Sequence, residues 1–229
     1  MSSIVFDAGP IISLTMNNLL FIIEELKKDY AGKFYISSAV KRELVDMPIG
    51  TKKFKFEAMQ VLYHIRNQTF NVLADELTKD KTMELLNIAN TCFMAHNNWI
   101  RIVHYADMAG ISACMHLSSE AFVIDERTTR VLIENPKKLA NILRNKLHTE
   151  IEINKENLKK FLDMTGQIKI IRSSELAAVA YEKGLLDKYL PSIPKAGETL
   201  LDGVLWGLKL NGCSISRREI EQIISMERK

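Results

Sequence analysis

The chain has 229 residues, 47% of them hydrophobic and 26% charged, which is enough apolar material for a substantial core and argues against a disordered chain. A net charge of +3 and a pI near 8.6 exclude nucleic-acid binding by bulk charge alone, so any such surface has to be a local patch. Cys92, Cys114 and Cys213 are widely spaced and odd in number, with no CxxC pair, which argues against a disulfide framework or a cysteine zinc site.

Ile4, Val5 and Phe6 read as a short buried strand that stops at Asp7-Ala8-Gly9-Pro10, a turn with helix-starting chemistry. One helix is predicted from Ile11 to Lys27, with Ile12, Leu19, Ile22, Ile23 and Leu26 on a wide apolar face. Lys33 to Ile36 reads as a second strand, after which Ser37 or Ser38 caps a helix carrying Val40, Glu43, Leu44 and Met47. From Thr51 to Asn97 the pattern is helical, without a strong strand candidate. Trp99 to Val103 reads as a short strand, and Ala106 to Leu117 as a helix whose small residues permit close packing on a sheet.

Ala121 to Ile124 is the third clear strand and ends at Asp125-Glu126-Arg127, while Ile168 to Ile171 is the fourth and ends at Ser173-Ser174-Glu175. Between them, Thr128 to Gln167 is helical and highly charged, and reads as an insertion rather than an independent domain. Beyond Gly184 the run Pro191 to Pro194 breaks the chain, a helix follows near Glu198 to Leu210, and Gly212 ends it. Ser216 and Glu219 are spaced as a capping box for the last helix. With no basic leader and no window of the ~18 apolar residues a membrane helix needs, a cytoplasmic protein is expected.

Short, non-alternating apolar strands separated by helices point to a mostly parallel sheet covered on both faces, with ligands beyond the carboxyl ends of the strands. Asp7, Glu43, Asp107 and Asp125 fall at that edge. Asp7, Asp107 and Asp125 each have an ordinary rival role as a helix cap. Glu43 and Asp107 have no lysine or arginine three or four residues away, so no simple helical ion pair accounts for them. Carboxylates gathered at one edge repel one another unless a cation compensates them, and hard oxygen ligands suit Mg²⁺ or Mn²⁺.

Two basic strips stand out. Lys52, Lys53 and Lys55 alternate with Phe54 and Phe56, a pattern suited to phosphates and bases or, alternatively, to a solvated edge over two core aromatics. Arg127, Arg130, Lys137 and Lys138 lie nearer the fourth acid, where the rival reading is a solvated helix face. His104 and His116 sit in no recognisable metal or triad spacing and read as helix-face histidines. No GxGxxG follows any strand, and Asp7-Ala8-Gly9 lacks the second acid of an aspartyl-phosphatase site.

The segments IVFDAGPIISL, SAVKREL, ADMAGISACMHL and FVIDERTTR resemble the successive motifs of PIN domains, and the likeness covers most of the chain. IKIIRSSELAAVAYEKGLL is similar to the C-terminal part of a prokaryotic branch of that family. The resemblance implies one PIN-like domain over residues 1–229. Its architecture would be a three-layer α/β/α fold with a mostly parallel central sheet, a helical insertion at about 128–167 and a helical extension at about 191–229.

It further implies a metal-dependent endoribonuclease that hydrolyses RNA with Mg²⁺ or Mn²⁺. Asp7, Glu43, Asp107 and Asp125 would be the metal-holding acids, and Glu126 the neighbour of the fourth. The family includes toxins paired with an antitoxin protein as well as RNA-processing enzymes, and a homodimer is the usual prior for a soluble chain. The alternative is a catalytically weak or inactive PIN-like protein that binds RNA or acts as a scaffold. This chain departs from the branch in having Ala106-Asp107 in place of Gly-Glu, Ile124 where many members carry a hydroxyl residue, and a long segment from Thr128 to Gln167.

Overall fold

The computed structural model describes residues 2–227. The first strand, β1 (Ser3–Phe6), passes through Asp7 into helix α1 (Ala8–Met16), followed by α2 (Phe21–Asp29), β2 (Lys33–Ser37) and α3 (Ser38–Lys41). α3 runs on into a π-turn at Arg42–Asp46, then come α4 (Lys55–Arg66), β3 (Asn71–Leu73), α5 (Lys79–Ala89) and a small hairpin, β4 (Phe93–Ala95) with β5 (Asn98–Trp99). Next are α6 (Tyr105–Leu117), β6 (Ala121–Val123), α7 (Arg127–Glu134), α8 (Pro136–Leu147), β7 (Glu152–Ile153) and α9 (Lys155–Thr165). The chain closes with β8 (Lys169–Ile171), α10 (Ser173–Glu182), α11 (Ala196–Leu210) and α12 (Arg217–Met226).

Five strands form the central sheet in the order β3-β2-β1-β6-β8, and every pairing in it is parallel. Both faces are covered, which explains why the strands do not alternate in polarity. Phe6, Phe34, Ile36 and Val123 enter the core beneath α1, α2, α10 and α11, whereas Val5, Phe122 and Ile124 enter the opposite core with residues of α5 to α9. The expected three-layer α/β fold is therefore present. α6 lies close to the sheet because Gly110 has no side chain, as a Cβ there would stand 2.5 Å from the Phe122 ring.

From β1 the chain builds outward to β2 and β3 on one side, then returns to lay β6 and β8 on the other. The strand order therefore reverses between β1 and β6. Open parallel sheets place ligands at such a reversal, beyond the carboxyl ends of the two strands. Asp7 leaves β1 and Asp125 follows β6 at this point.

Several expected elements differ. The single helix from Ile11 to Lys27 is two helices, because Asn18 adopts a left-handed φ of 56° and the Leu19 amide turns back to the Leu14 carbonyl. Thr51 to Asn97 contains strands after all: β3 is a three-residue edge strand, and β4 belongs to a separate antiparallel sheet with order β5-β4-β7. His96 and Asn97, with φ of 48° and 58°, form the two-residue turn of the β4–β5 hairpin, so the strand expected at Trp99 to Val103 ends at Trp99.

The stretch from Thr128 to Gln167 is not wholly helical. It supplies β7, which pairs with β4, and α9 packs on α5. Ser37 caps α3 as one of the two serines expected, and the Ser216–Glu219 capping box opens α12. Met1 and the last two residues of the expected C-terminal extension lie outside the described residues. Among the described residues no helix is long and apolar enough to cross a membrane.

Candidate active site

Asp7 is the N-cap of α1 and is 6% exposed, its carboxylate accepting the Gly9 amide at 3.3 Å. Its own amide donates to the Val123 carbonyl at 2.9 Å, which fastens the end of β1 to β6. Burial pushes its pKa up to about 7. The nearby Asp107 and, more weakly, Glu43 add to that rise, while the Ala8 and Gly9 amides oppose it. The capping role and the clustering thus coexist in one side chain.

Asp107 sits in the first turn of α6 and accepts the His104 amide at 2.8 Å as the acidic half of a capping box. Burial raises its pKa as well; Glu126 and Glu43 push the same way, and the His104 amide and ring push back. Asp7, Glu43, Asp107 and Glu126 therefore form one electrostatic neighbourhood beyond the carboxyl ends of β1 and β6.

Glu43 reaches this neighbourhood on the π-turn at Arg42–Asp46, where an ordinary helix was expected. Pro48 cannot donate a backbone hydrogen bond to Leu44, and the Met47 amide bonds instead to the Arg42 carbonyl five residues back, at 2.9 Å. Lys41 and Asp46 are paired at 2.6 Å across the same five-residue interval, which suits a π-turn. Such turns concentrate at functional positions. Glu43 is exposed and meets no hydrogen-bond or ion-pair partner among the described residues.

Asp125 is engaged on every side as the chain folds. It is 1% exposed, and both of its oxygens are occupied: Oδ1 accepts the Ser173 amide at 2.8 Å, and Oδ2 accepts Ser13 Oγ at 2.8 Å and Ser173 Oγ at 2.7 Å. Its carbonyl takes the Ser214 amide at 3.1 Å. The residue thus ties β6 to α1, α10 and the C-terminal segment. It still lies beside Asp7, since a Cβ built on Gly9 would stand 3.4 Å from Asp125 Cβ and 3.5 Å from Asp7 Oδ2. Glu126, which is exposed and N-caps α7 through the Thr128 and Thr129 amides at 2.8 and 2.6 Å, is the acid of this pair that faces the cluster. Sequence reasoning missed Ser13 and Ser173, although Ser173 opens a helix directly after β8, where a hydroxyl partner for a neighbouring strand's acid is well placed.

No family model, no curated protein and no solved structure matches this chain. The site accordingly stands on its own geometry. Among the described residues no three His, Cys, Asp or Glu side chains form a group that could hold a metal ion as placed. The chemistry of the donor set nonetheless suits a hard divalent cation. Burial, Asp107 and, more weakly, Glu43 disfavour the charge of Asp7, and Glu43 carries a carboxylate not engaged elsewhere among the described residues.

Of the two basic strips, Lys52, Lys53 and Lys55 are exposed at the start of α4, where Lys53 Nζ lies 4.7 Å from the centre of the Phe54 ring. The two aromatics are not core residues, as Phe54 is 46% and Phe56 70% exposed. Phe54 instead helps wall an apolar pocket of about 260 Å³, with Ile11, Ile12, Leu44 and Val61, that reaches Glu43. Arg127, Arg130 and Lys138 converge on a second pocket, which Lys137 does not line. His104 flanks Asp107, while His116 lines a separate pocket with Ser3 and Lys33, at the strand starts and away from the carboxylates.

Proposed function

We propose that the chain is a metal-dependent endoribonuclease of PIN-like type, acting on RNA phosphodiester bonds beyond the carboxyl ends of β1 and β6. The observation that carries this reading is the gathering of Asp7, Glu43 and Asp107 from three separate elements around one buried carboxyl group. In this reading Asp7, Glu43, Asp107 and Glu126 hold Mg²⁺ or Mn²⁺. When bound, the ion supplies Lewis acidity toward the phosphate and lowers the pKa of water. Asp7, fixed at the end of β1 by the Val123 carbonyl, sets the floor of the site. Asp107, steered by the His104 amide, and Glu43, on the π-turn, close it from two sides. The apolar pocket beside Glu43 is suited to receive a base flanking the scissile bond, stacked on Phe54.

The test is cleavage of a single-stranded RNA in Mn²⁺ or Mg²⁺, with product loss in Asp7→Asn and Asp107→Asn while far-UV circular dichroism and melting behaviour remain those of a folded chain. A second reading, RNA binding without turnover, is favoured by the hydrogen bonds that already occupy Asp125, Asp107 and Glu126. Tight RNA binding with no product in either metal would establish it and exclude the nuclease.

A further inference from the structure

The second pocket, of about 690 Å³, lies between α7, α8, the end of α11 and the start of α12. Its volume is within the range of about 300–1,000 Å³ usual for small-ligand sites. Four cations line it: Arg127, Arg130, Lys138 and Lys209. Arg127 and Lys138 are exposed, and among the described residues neither they nor Lys209 stands within ion-pair distance of a carboxylate. Arg130 is paired with Glu134 at 3.0 Å. The one acid in the lining, Glu219, is bound to Arg172 at 2.8 Å and caps α12. The pocket is therefore strongly and locally positive in a chain whose net charge is only +3.

Two further observations point to a ligand. Among the described residues, Arg130 Nε and Ser214 Oγ are buried without a hydrogen-bond partner, although both residues line the pocket. Buried donors of this kind are costly unless something occupies them. The first turn of α12, a ten-residue helix, also opens at the pocket through Ser216, and its dipole favours an anion, with the Ser216 and Glu219 amides already taken by the capping box. Leu210 and Ile215 supply apolar wall beside the cations, so the pocket matches a ligand with a charged end and a flat apolar part.

We propose that this pocket binds one phosphate-bearing nucleotide unit, with the phosphate on Arg127, Arg130, Lys138 and Lys209 and the base against Leu210 and Ile215. The inference deepens the nuclease reading and rests on it for the identity of the ligand as a segment of RNA. The pocket and the carboxylates share a boundary: Arg127 follows Glu126 directly, and the Ser214 amide on the pocket wall bonds the Asp125 carbonyl at 3.1 Å. A strand with one phosphate at the carboxylates thus has a neighbouring nucleotide held by the C-terminal helices. The C-terminal segment then acts as part of the substrate site, because Lys209, Ser214 and α12 come from it.

The experiment measures binding of uridine 5′-monophosphate and of uridine to the full chain in EDTA by calorimetry, and of a labelled twelve-nucleotide oligouridylate by fluorescence anisotropy. Uridine 5′-monophosphate should bind at least tenfold more tightly than uridine. The double variant Arg127→Gln/Lys138→Gln, at exposed positions, should lose at least tenfold for the nucleotide. It should also reduce the slope of log K against log salt for the oligomer by roughly 1.4, from two lost contacts at about 0.7 each. Lys209→Gln should weaken the nucleotide similarly, and a melting temperature like that of the parent certifies that each variant is folded. Equal binding of nucleotide and nucleoside, or folded variants that bind like the parent, would overturn the proposal. If the parent cleaves RNA and the variants are indifferent in binding, the pocket is wrong and the nuclease stands. Nucleotide binding lost in the variants, without any cleavage by the parent, leaves the pocket and removes the nuclease.

Discussion

The carboxylate cluster makes a measurable claim about stability. Asp7 is ionised above pH 3.8 in the unfolded chain and only above about pH 7 in the folded one. Its raised pKa means that stability is full below pH 3.8, falls as pH rises because the unfolded state sheds its proton first, and levels off above about pH 7. A gap of about three units at about 1.36 kcal/mol each corresponds to roughly 4 kcal/mol of stability missing at pH 8 in the metal-free chain. Asp7→Asn removes the charge, keeps an acceptor for the Gly9 amide and hardly changes the volume. Metal-free Asp7→Asn should therefore be more stable than the parent at pH 8, by up to about 4 kcal/mol, with the difference shrinking toward zero at pH 4. Urea unfolding in EDTA at the two pH values measures this. Saturating Mn²⁺ should close most of that gap at pH 8 by stabilising only the parent, by about 2.7 kcal/mol at a hundredfold excess over Kd. A variant that is less stable than the parent at pH 8, or a difference that does not change with pH, would refute the claim that Asp7 is buried among like charges.

Three other outcomes follow from individual residues. Glu43→Gln, at an exposed position, should leave stability within about 0.5 kcal/mol yet weaken Mn²⁺ at least tenfold in a titration followed by thermal shift. Gly110→Ala drives a methyl group into the buried Phe122 ring and should cost about 1–3 kcal/mol in denaturant unfolding. Phe54 holds a left-handed φ of 61° at the start of α4, so Phe54→Gly should be more stable than Phe54→Ala by about 1 kcal/mol, with the two losing the aromatic ring equally in RNA binding.

The centre of the sheet was legible because both of its faces are covered, so β1, β2 and β6 appear as apolar runs closed by polar turns, and the edge strand β8 was still marked by Ile168, Ile170 and Ile171 before Ser173-Ser174. β3 escaped notice because it is three residues long at the sheet edge with Val72 exposed, which leaves no apolar run to recognise. The break between α1 and α2 was hidden for the opposite reason: apolar residues continue across Asn17 and Asn18 in a spacing that a single helix also satisfies. Asp7, Glu43 and Asp107 could be singled out as acids lacking a helical cation partner or following a strand. That they share one edge was expected from their places at strand ends and from the family resemblance; the strand order that brings them together was not, because order is set by which crossovers pack rather than by any local pattern. The π-turn under Glu43 also lies beyond helical periodicity, though Pro48 and the Lys41–Asp46 interval mark it in retrospect.

Asp125 and Glu126 show why two acids stand at the end of β6 when one would seem to serve. Consecutive residues leaving a strand project to opposite sides. Asp125 turns toward α1 and α10, where Ser13 and Ser173 offer three donors, and Glu126 turns toward α7 and Asp107. The first acid therefore fixes the end of β6 against the C-terminal helices, which is a condition for the second to sit in register with the cluster. This division predicts different failures. Asp125→Ala strands the Ser173 amide and hydroxyl in a buried site, while Ser13 Oγ keeps the Asn211 carbonyl at 3.2 Å, and should cost at least about 2 kcal/mol whether or not metal is present. Glu126→Gln keeps an acceptor for the α7 cap, so it should hold its stability and instead weaken Mn²⁺. If Asp125→Ala unfolded no more easily than the parent but lost metal, Asp125 would be a ligand and its hydrogen bonds incidental; paired denaturation and Mn²⁺ titration of the two variants decides between these roles.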